Sequence, residues 1–348
     1  MEKKRTNFLE LLAEEQVPRK RKRQTGDIDK NSTTNEKKVL TNTLKLLNSD
    51  KEKHTMELCI PKAFSKIFQN VFEKHTSNVF SNMTLIFKES GMFIVAQGES
   101  VECALCVDMK RDFFYHFNLK EGARYIITVR THDLDICFKS LSLFENCFFY
   151  FEDDVEYQSR IKIKMINTNN SIDPRNRSMI QTTYINGQLK AKSITPLFFQ
   201  RLRYTHQWET SSNQFHDIIN NLSRNGEQFS IATNYKKIIF HVSCQETGGE
   251  TEIELIPKEI TKNDDGEEEE NFFYDKYITK TLNLAVKMKI LSSVIYIHLK
   301  QNQPLFIKYP FIDTTLKKEV ASIKFVVAPI KEDDHGRNKE IFLTKFKE

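Results

Sequence analysis

Residues 211–232 read SSNQFHDIINNLSRNGEQFSIA, and the fold is decided here. Phe215, Ile218, Ile219 and Leu222 recur at three- and four-residue spacing, which places them on one face of a helix. Ser211 or Ser212 stands at its start, where a hydroxyl accepts from the free N–H groups of the first turn. Gln228 to Ala232 then takes on strand character. Toward the C-terminus, strands are predicted at 238–243, 251–256 and 272–278, a helix over 279–288, and strands at 294–299, 305–309 and 322–327.

The same order runs on the other side. Phe64, Ile67, Phe68, Val71 and Phe72 predict a helix over 61–74. Strands are predicted at 83–87, 92–96, 101–107 and 125–129. Thr131 then reads as the cap of a second short helix with Leu134, Cys137, Phe138 and Leu141 on one side. Strands at 147–151 and 160–165 follow. Each half is helix, strands, helix, strands, an internal duplication of α+β units. The chain divides into a basic tail (1–54) too polar to offset its chain entropy, a first domain (55–167), a connector rich in Asn and Ser (168–204), a second domain (205–331) and a C-terminal tail (332–348).

A length of 348 residues suits two domains. Lys plus Arg is 52 and Asp plus Glu 47, a net charge of +5 too small to define a nucleic-acid binder by itself. Ten Gly argue against glycine-rich phosphate loops. No apolar run is long enough for a membrane span and the N-terminus has no signal-peptide core, so a soluble intracellular protein is expected. Cys103 and Cys106 form a C-x-x-C without a second pair. On a strand they point to opposite faces, which suits buried thiols rather than zinc. No catalytic motif is present, and no cofactor or metal is expected. Asp153-Asp154 reads as a solvated strand end rather than a metal site. The acidic run 264–270 lacks the alternation of a calcium loop.

The series of elements resembles the proliferating cell nuclear antigen family of DNA sliding clamps over roughly residues 56–331. Gln214-Phe215 through Leu222-Ser223 with Gln228-Phe229-Ser230-Ile231 is similar to the opening of the clamp's second domain. Leu291-Ser292-Ser293, Gln303-Pro304-Leu305 and Val327-Ala328-Pro329 are similar to its closing segments. Ser90-Gly91-Met92 and residues 130–139 sit where the clamp has comparable elements. The long connector, the tail and the chain past Lys331 depart from the pattern. The resemblance implies two tandem clamp-type domains and a non-enzymatic processivity factor. It implies a homotrimeric ring around double-stranded DNA that tethers DNA polymerase and other clamp-binding replication and repair proteins. Two alternatives stay open: a clamp-fold scaffold in viral transcription or checkpoint assembly, and a monomeric processivity factor that holds DNA by charge. Abundant Lys, Asn, Ile and Phe suggest an AT-rich genome, with a large DNA virus as the source and the nucleus or a cytoplasmic replication site as the location.

Residue by residue, the resemblance assigns Lys280 and Lys287 to the DNA-facing surface, seven apart and so on one helix face. Lys62 and Lys66 oppose the first Phe stripe, Lys139 ends the second helix, and Arg224 ends the third. That third helix is otherwise poor in cations, with Asn213, Asp217 and Asn220 outward and His216 the only other candidate. A partner pocket is implied at Gln97, Pro304, Val326, Ala328, Pro329 and Ile330, near apolar Leu197 to Leu202. Subunits are implied to join through two edge strands. On one, Arg160, Lys162 and Lys164 alternate with Ile161, Ile163 and Met165. On the other, Glu250, Glu252 and Glu254 alternate with Ile253 and Leu255, so a basic edge is expected to meet an acidic one. Arg19, Lys20, Arg21, Lys22 and Arg23 read as a nuclear-import-like signal or an electrostatic arm.

Overall fold

The computed structural model describes residues 54–61, 65–72, 78–98, 103–152, 160–167, 179–188, 204–234, 236–244, 248–256, 272–301, 303–313, 317–330 and 335–347. The first half runs β1 (His54–Pro61), α1 (Ser65–Phe72), β2 (Asn82–Lys88), β3 (Gly91–Gln97), β4 (Cys103–Lys110), β5 (His116–Leu119), β6 (Tyr125–Arg130), α2 (Thr131–Phe138), β7 (Asn146–Glu152), β8 (Arg160–Asn167) and β9 (Met179–Asn186). The second runs β10 (His206–Ser211), α3 (Ser212–Asn225), β11 (Gln228–Thr233), β12 (Ile238–Ser243), β13 (Glu250–Leu255), β14 (Phe273–Ile278), α4 (Thr279–Val286), β15 (Val294–Leu299), β16 (Leu305–Asp313) and β17 (Lys318–Val327). Helix α5 (His335–Lys347) follows. The two halves match element for element except β5, which has no counterpart among the described residues.

Three antiparallel sheets carry this duplication: β5-β1-β7-β8-β9, β10-β15-β16-β17-β4-β3-β2-β6, and β13-β12-β11-β14. The long central sheet is a joint between the halves. In it β17 lies beside β4, in register from Ala321–Met109 to Val327–Cys103. The segment leaving the last strand of each half returns to the edge of the other sheet type. Gln188 exchanges two backbone hydrogen bonds with Thr128 of β6, at 3.0 and 2.8 Å, and Ile330 N–H donates to the Lys276 carbonyl of β14 at 2.8 Å. Gly187 permits the first return, because a Cβ there would sit 2.5 Å from Ile127 Cγ1.

Helices α1 to α4 pack on one side of the sheets. Phe68 of α1 lies 5.9–6.1 Å, ring centre to ring centre, from Phe72, Phe113, Phe138 and Phe149. Phe215 and Ile219 of α3 and Leu282 of α4 are buried in the same continuous core. Each fully buried Phe or Leu contributes about 1.5–3 kcal/mol, so the stripes read from the sequence anchor the helix layer. Helix α5 lies on the opposite side of the third sheet, with Phe342, Leu343 and Phe346 on Ala232, Ile239, Phe272 and Tyr274.

Several expectations are corrected. Met179–Asn186 falls in the stretch read as connector, yet it is a strand of the first half's sheet. It pairs along all of β8, from Arg160–Asn186 to Asn167–Met179. Arg160–Met165 is therefore no edge: β7 flanks it on one side and β9 on the other. Lys162 and Lys164 are buried rather than solvent-facing. Thr131 is the first helical residue, not a cap, while Arg130 holds the cap position without a capping side chain. The last helix of the duplication ends at Val286 and tightens into a 3₁₀ turn, Lys287–Leu291. Of residues 332–348, read as a tail, 335–347 form helix α5. The tail 1–53 with its Arg19–Arg23 run, Lys62, Asp153-Asp154, the acidic run 264–270 and Leu197 to Leu202 lie outside the described residues.

Candidate nucleic-acid interface

The outward faces of the helices form one surface. Helices α1 and α2 pack together, α3 and α4 pack together, and α1 also touches the turn Lys287–Leu291, so the two halves' helices make a continuous layer. On α4, Leu282, Leu284, Ala285 and Val286 are buried, which turns Lys280 and Lys287 to solvent. Neither has an ion-pair partner among the described residues. On α2, Leu134, Cys137 and Phe138 are buried and Lys139 is exposed, with its Nζ 3.6 Å from Asp135 Oδ2. Arg130 is also exposed, but Asp133 grips it with two hydrogen bonds of 2.9 and 3.0 Å. For Lys66 only the backbone is described, as part of α1.

Helix α3 starts as the sequence allowed, with Ser211 Oγ accepting from Gln214 N–H at 3.0 Å. Its outward face shows Asn213, Asp217 and Asn221, with Arg224 exposed in the last turn. His216 Nδ1 lies 3.0 Å from Asp217 Oδ1. Lys289 Nζ lies 3.1 Å from the same ring nitrogen, which accepts from it only when it does not donate to Asp217. Lys289, from the turn after α4, thus brings to α3 the charge that α3 lacks. Lys289 lies one residue beyond the helix that the sequence predicts over 279–288. Arg224 also lines a polar cavity of about 780 Å³ together with Lys276, His241, Glu250 and Tyr274.

The far side of the central sheet carries one of the residues expected in a partner pocket, Val326. Ile86, Phe93, Val95, Cys106, Phe306 and Val326 form a second, separate apolar cluster, with Ala104, Ile126 and Tyr204 on its half-buried rim. Val326 belongs to it, Gln97 neighbours Ala104 across β3 and β4, and Pro304 precedes β16. Ala328, Pro329 and Ile330 are not among its members, and the Ile330 N–H donates to Lys276 of β14. The rings of Tyr204, His298 and Phe306 stand 5.1–5.6 Å apart at one end. Burial and the Lys308 ammonium push the His298 imidazole down to about 4, so it is neutral at physiological pH. Period two on β2, β3 and β4 could have found this cluster. Cys103 faces the main core and Cys106 this one, as strand geometry requires of i and i+3. All six cysteines are free thiols, and burial pushes the Cys106 thiol up to about 12 and Cys137 to about 11. Among the described residues no group of three or more His, Cys, Asp or Glu could hold a metal ion. No described helix is long and apolar enough to cross a membrane.

No protein-family model matches the chain. Proliferating cell nuclear antigen 1 of Plasmodium falciparum, from isolates K1 and 3D7, is 31% identical over 140 residues, 38% of this chain and 49% of that protein. The match spans about half the length of these curated relatives. Among solved structures, a chain of the PCNA2–PCNA3 complex from Sulfolobus tokodaii superposes with a TM-score of 0.57 at 18% identity, covering 80% of this chain and all of that one. Two duplicated α+β halves, joined through one long sheet and lined on one side by helices, give this chain the fold of the proliferating cell nuclear antigen clamps.

Proposed function

We propose that this protein is the subunit of a DNA sliding clamp, a non-enzymatic ring of three chains that encircles duplex DNA and tethers a polymerase. The observation that carries the reading is the internal joint. In it β17 pairs with β4. The duplication makes β9 the counterpart of β17 and β13 the counterpart of β4, and both are open edges of their sheets. An open edge invites a further strand. If β9 of one subunit meets β13 of the next as β17 meets β4, the contact is head to tail and closes into a ring.

The duplication also supplies a register. The described pairings relate Val326 to Tyr184 and Ala104 to Glu250 between the halves. Copying the joint then sets Tyr184 opposite Glu250, Thr182 opposite Glu252, and Ile180 opposite Glu254. Met179, Ile180 and Tyr184 are exposed, as an unfilled contact would leave them. Charge complementarity survives in altered form. Lys162 and Lys164 stand one strand behind the edge, and the Arg160 guanidinium lies 4.3 Å from the centre of the Tyr184 ring. The basic row then approaches the acidic row across β9 instead of facing it directly.

In such a ring the helix layer lines the hole. Lys280, Lys287, Lys139, Arg224 and Lys289 touch phosphates without reading bases, so the ring slides. Partner segments dock on the rim of the second apolar cluster, around Tyr204, Ala104 and Ile126. The test is particle mass and topology. Mass photometry of the full chain is expected to give a species near three times 41.0 kDa. Rings assembled on duplex should stay on closed circles in high salt and run off once the circle is linearised. Monomers at all concentrations, or equal salt-driven loss from circular and linear duplex, would favour the charge-held monomer instead.

A further inference from the structure

Helix α5 lies beside the edge that the proposed ring needs. The acidic row of β13 and helix α5 share a face of the third sheet. Phe240, opposite Ile253, points into the main core. His241, opposite Glu252, points the other way and meets Phe342 of α5 at 5.4 Å between ring centres. Glu250, Glu252 and Glu254 therefore all stand on the side of α5. Two side chains of the β12 region connect helix and edge. Lys237 Nζ lies 5.2 Å from the centre of the Phe346 ring and 3.0 Å from Glu254 Oε1. His241 lies against Phe342, and its Nε2 is 3.5 Å from Glu250 Oε2. Each is largely shielded, and each is wedged between an aromatic anchor of α5 and a carboxylate of β13.

A lone Lys–Glu pair at a surface gains little, because two long side chains must be held in one geometry. Here the Phe346 ring restricts the lysine and the Phe342 ring restricts the histidine, so that cost is partly met before the carboxylates are engaged. The ends of the acidic row are fixed in direction, while Glu252 between them faces the centre of the edge.

We propose that α5 is a clasp that positions the acidic row of β13 for subunit association, with Phe342 and Phe346 acting through His241 and Lys237. This rests on the ring reading above. Its effect passes through Lys237 and His241 to Glu254 and Glu250.

The test uses the full chain in four forms: wild type, Lys237→Met, Phe342→Ala with Phe346→Ala, and all three substitutions together. Dilution series by mass photometry give the concentration at which rings fall apart. The phenylalanine pair should raise that concentration by up to about tenfold, the size expected when one partly exposed ion pair and a neighbouring His–carboxylate contact lose their geometry. Lys237→Met should raise it by a smaller factor in the wild-type background and add little in the phenylalanine background, because the lysine is no longer held there. That non-additivity separates positioning from general loosening. Faster amide exchange across Glu250–Leu255 in the phenylalanine variant, with unchanged exchange in β2 and β3, is expected alongside. An unmoved dissociation concentration, or strictly additive effects, overturns the clasp while leaving the ring standing. A wild-type chain that never assembles overturns the ring reading and the clasp's role in assembly with it.

Discussion

Replacing Lys280 and Lys287 by Ala tests which surface meets DNA. Both ammonium groups stand on the solvent side of α4, and neither has an ion-pair partner among the described residues. Lys139 is a built-in comparison, since its charge is already shared with Asp135 at 3.6 Å. A cation that neutralises one phosphate contributes about 0.9 to the slope of log affinity against log salt. Removing two unpaired lysines should flatten the slope by up to about 1.8 per subunit. Between 50 and 200 mM salt that is roughly a tenfold smaller change in affinity. Lys139→Ala should flatten it by clearly less than 0.9, because Asp135 already neutralises part of that charge. Anisotropy of a short labelled duplex, titrated with KCl, reads the slope. The thermal midpoint should not move, since exposed substitutions away from packing change stability by under about 0.5 kcal/mol. A slope unchanged by the double substitution, or moved most by Lys139→Ala, would refute the assignment of α4 to the DNA side.

Two further outcomes are expected from local chemistry. Ser211→Ala removes the only side chain that caps α3, and should lower stability by about 1 kcal/mol in a denaturant titration. Burial holds the Asp275 carboxyl up at about 7 despite the opposing pull of Lys339, so the native state prefers it protonated. Its contribution is then fully present below about pH 4 and is lost as pH rises through 7, by at most about 4 kcal/mol. Asp275→Asn should flatten that decline and raise the thermal midpoint at pH 8 more than at pH 5.

The parts of the fold legible in the sequence are those where one face is buried and one is wet. The stripe Phe215, Ile218, Ile219 and Leu222 reads as a helix because the face opposite it, with Asn213, Asp217 and Asn221, is exposed, and β13 alternates between exposed and half-buried residues. Strands β8 and β9 were misread for the converse reason. Arg160, Lys162 and Lys164 alternate as if solvated, yet the two lysines are buried, and Lys162 lies 6.0 Å from the centre of the Tyr184 ring. A long lysine stem can lie along apolar neighbours, so charge period two marks which face a residue occupies and says nothing of what covers it. Strand β9 is an edge of Gln, Thr, Tyr and Asn whose only fully buried side chain is Ile185. With so little apolar signal, the Asn and Ser before it dominated the reading. Helix α5 has three apolar contacts in thirteen residues, too few for a stripe, and its partners Ala232, Ile239 and Tyr274 lie on strands whose other face had already accounted for the core.

What the sequence could not supply, the duplication does. Element order predicts two similar halves, but only the observed registers say which strand is left open. Once β17 is seen beside β4, the proposed pairing of β9 with β13 follows by equivalence, without reference to charge. The charge pattern then has to be explained by the geometry. The acidic row stands on the edge itself, and the basic row stands one strand, about 5 Å, behind the opposite edge. Direct cross-strand pairing of Lys162 and Lys164 with Glu252 and Glu254 is therefore excluded in this fold. Long side chains reaching over Thr182 and Tyr184 remain, which makes association sensitive to those two small and aromatic positions as well as to the charges. Like edges still repel, since two acidic rows brought together would set carboxylate against carboxylate.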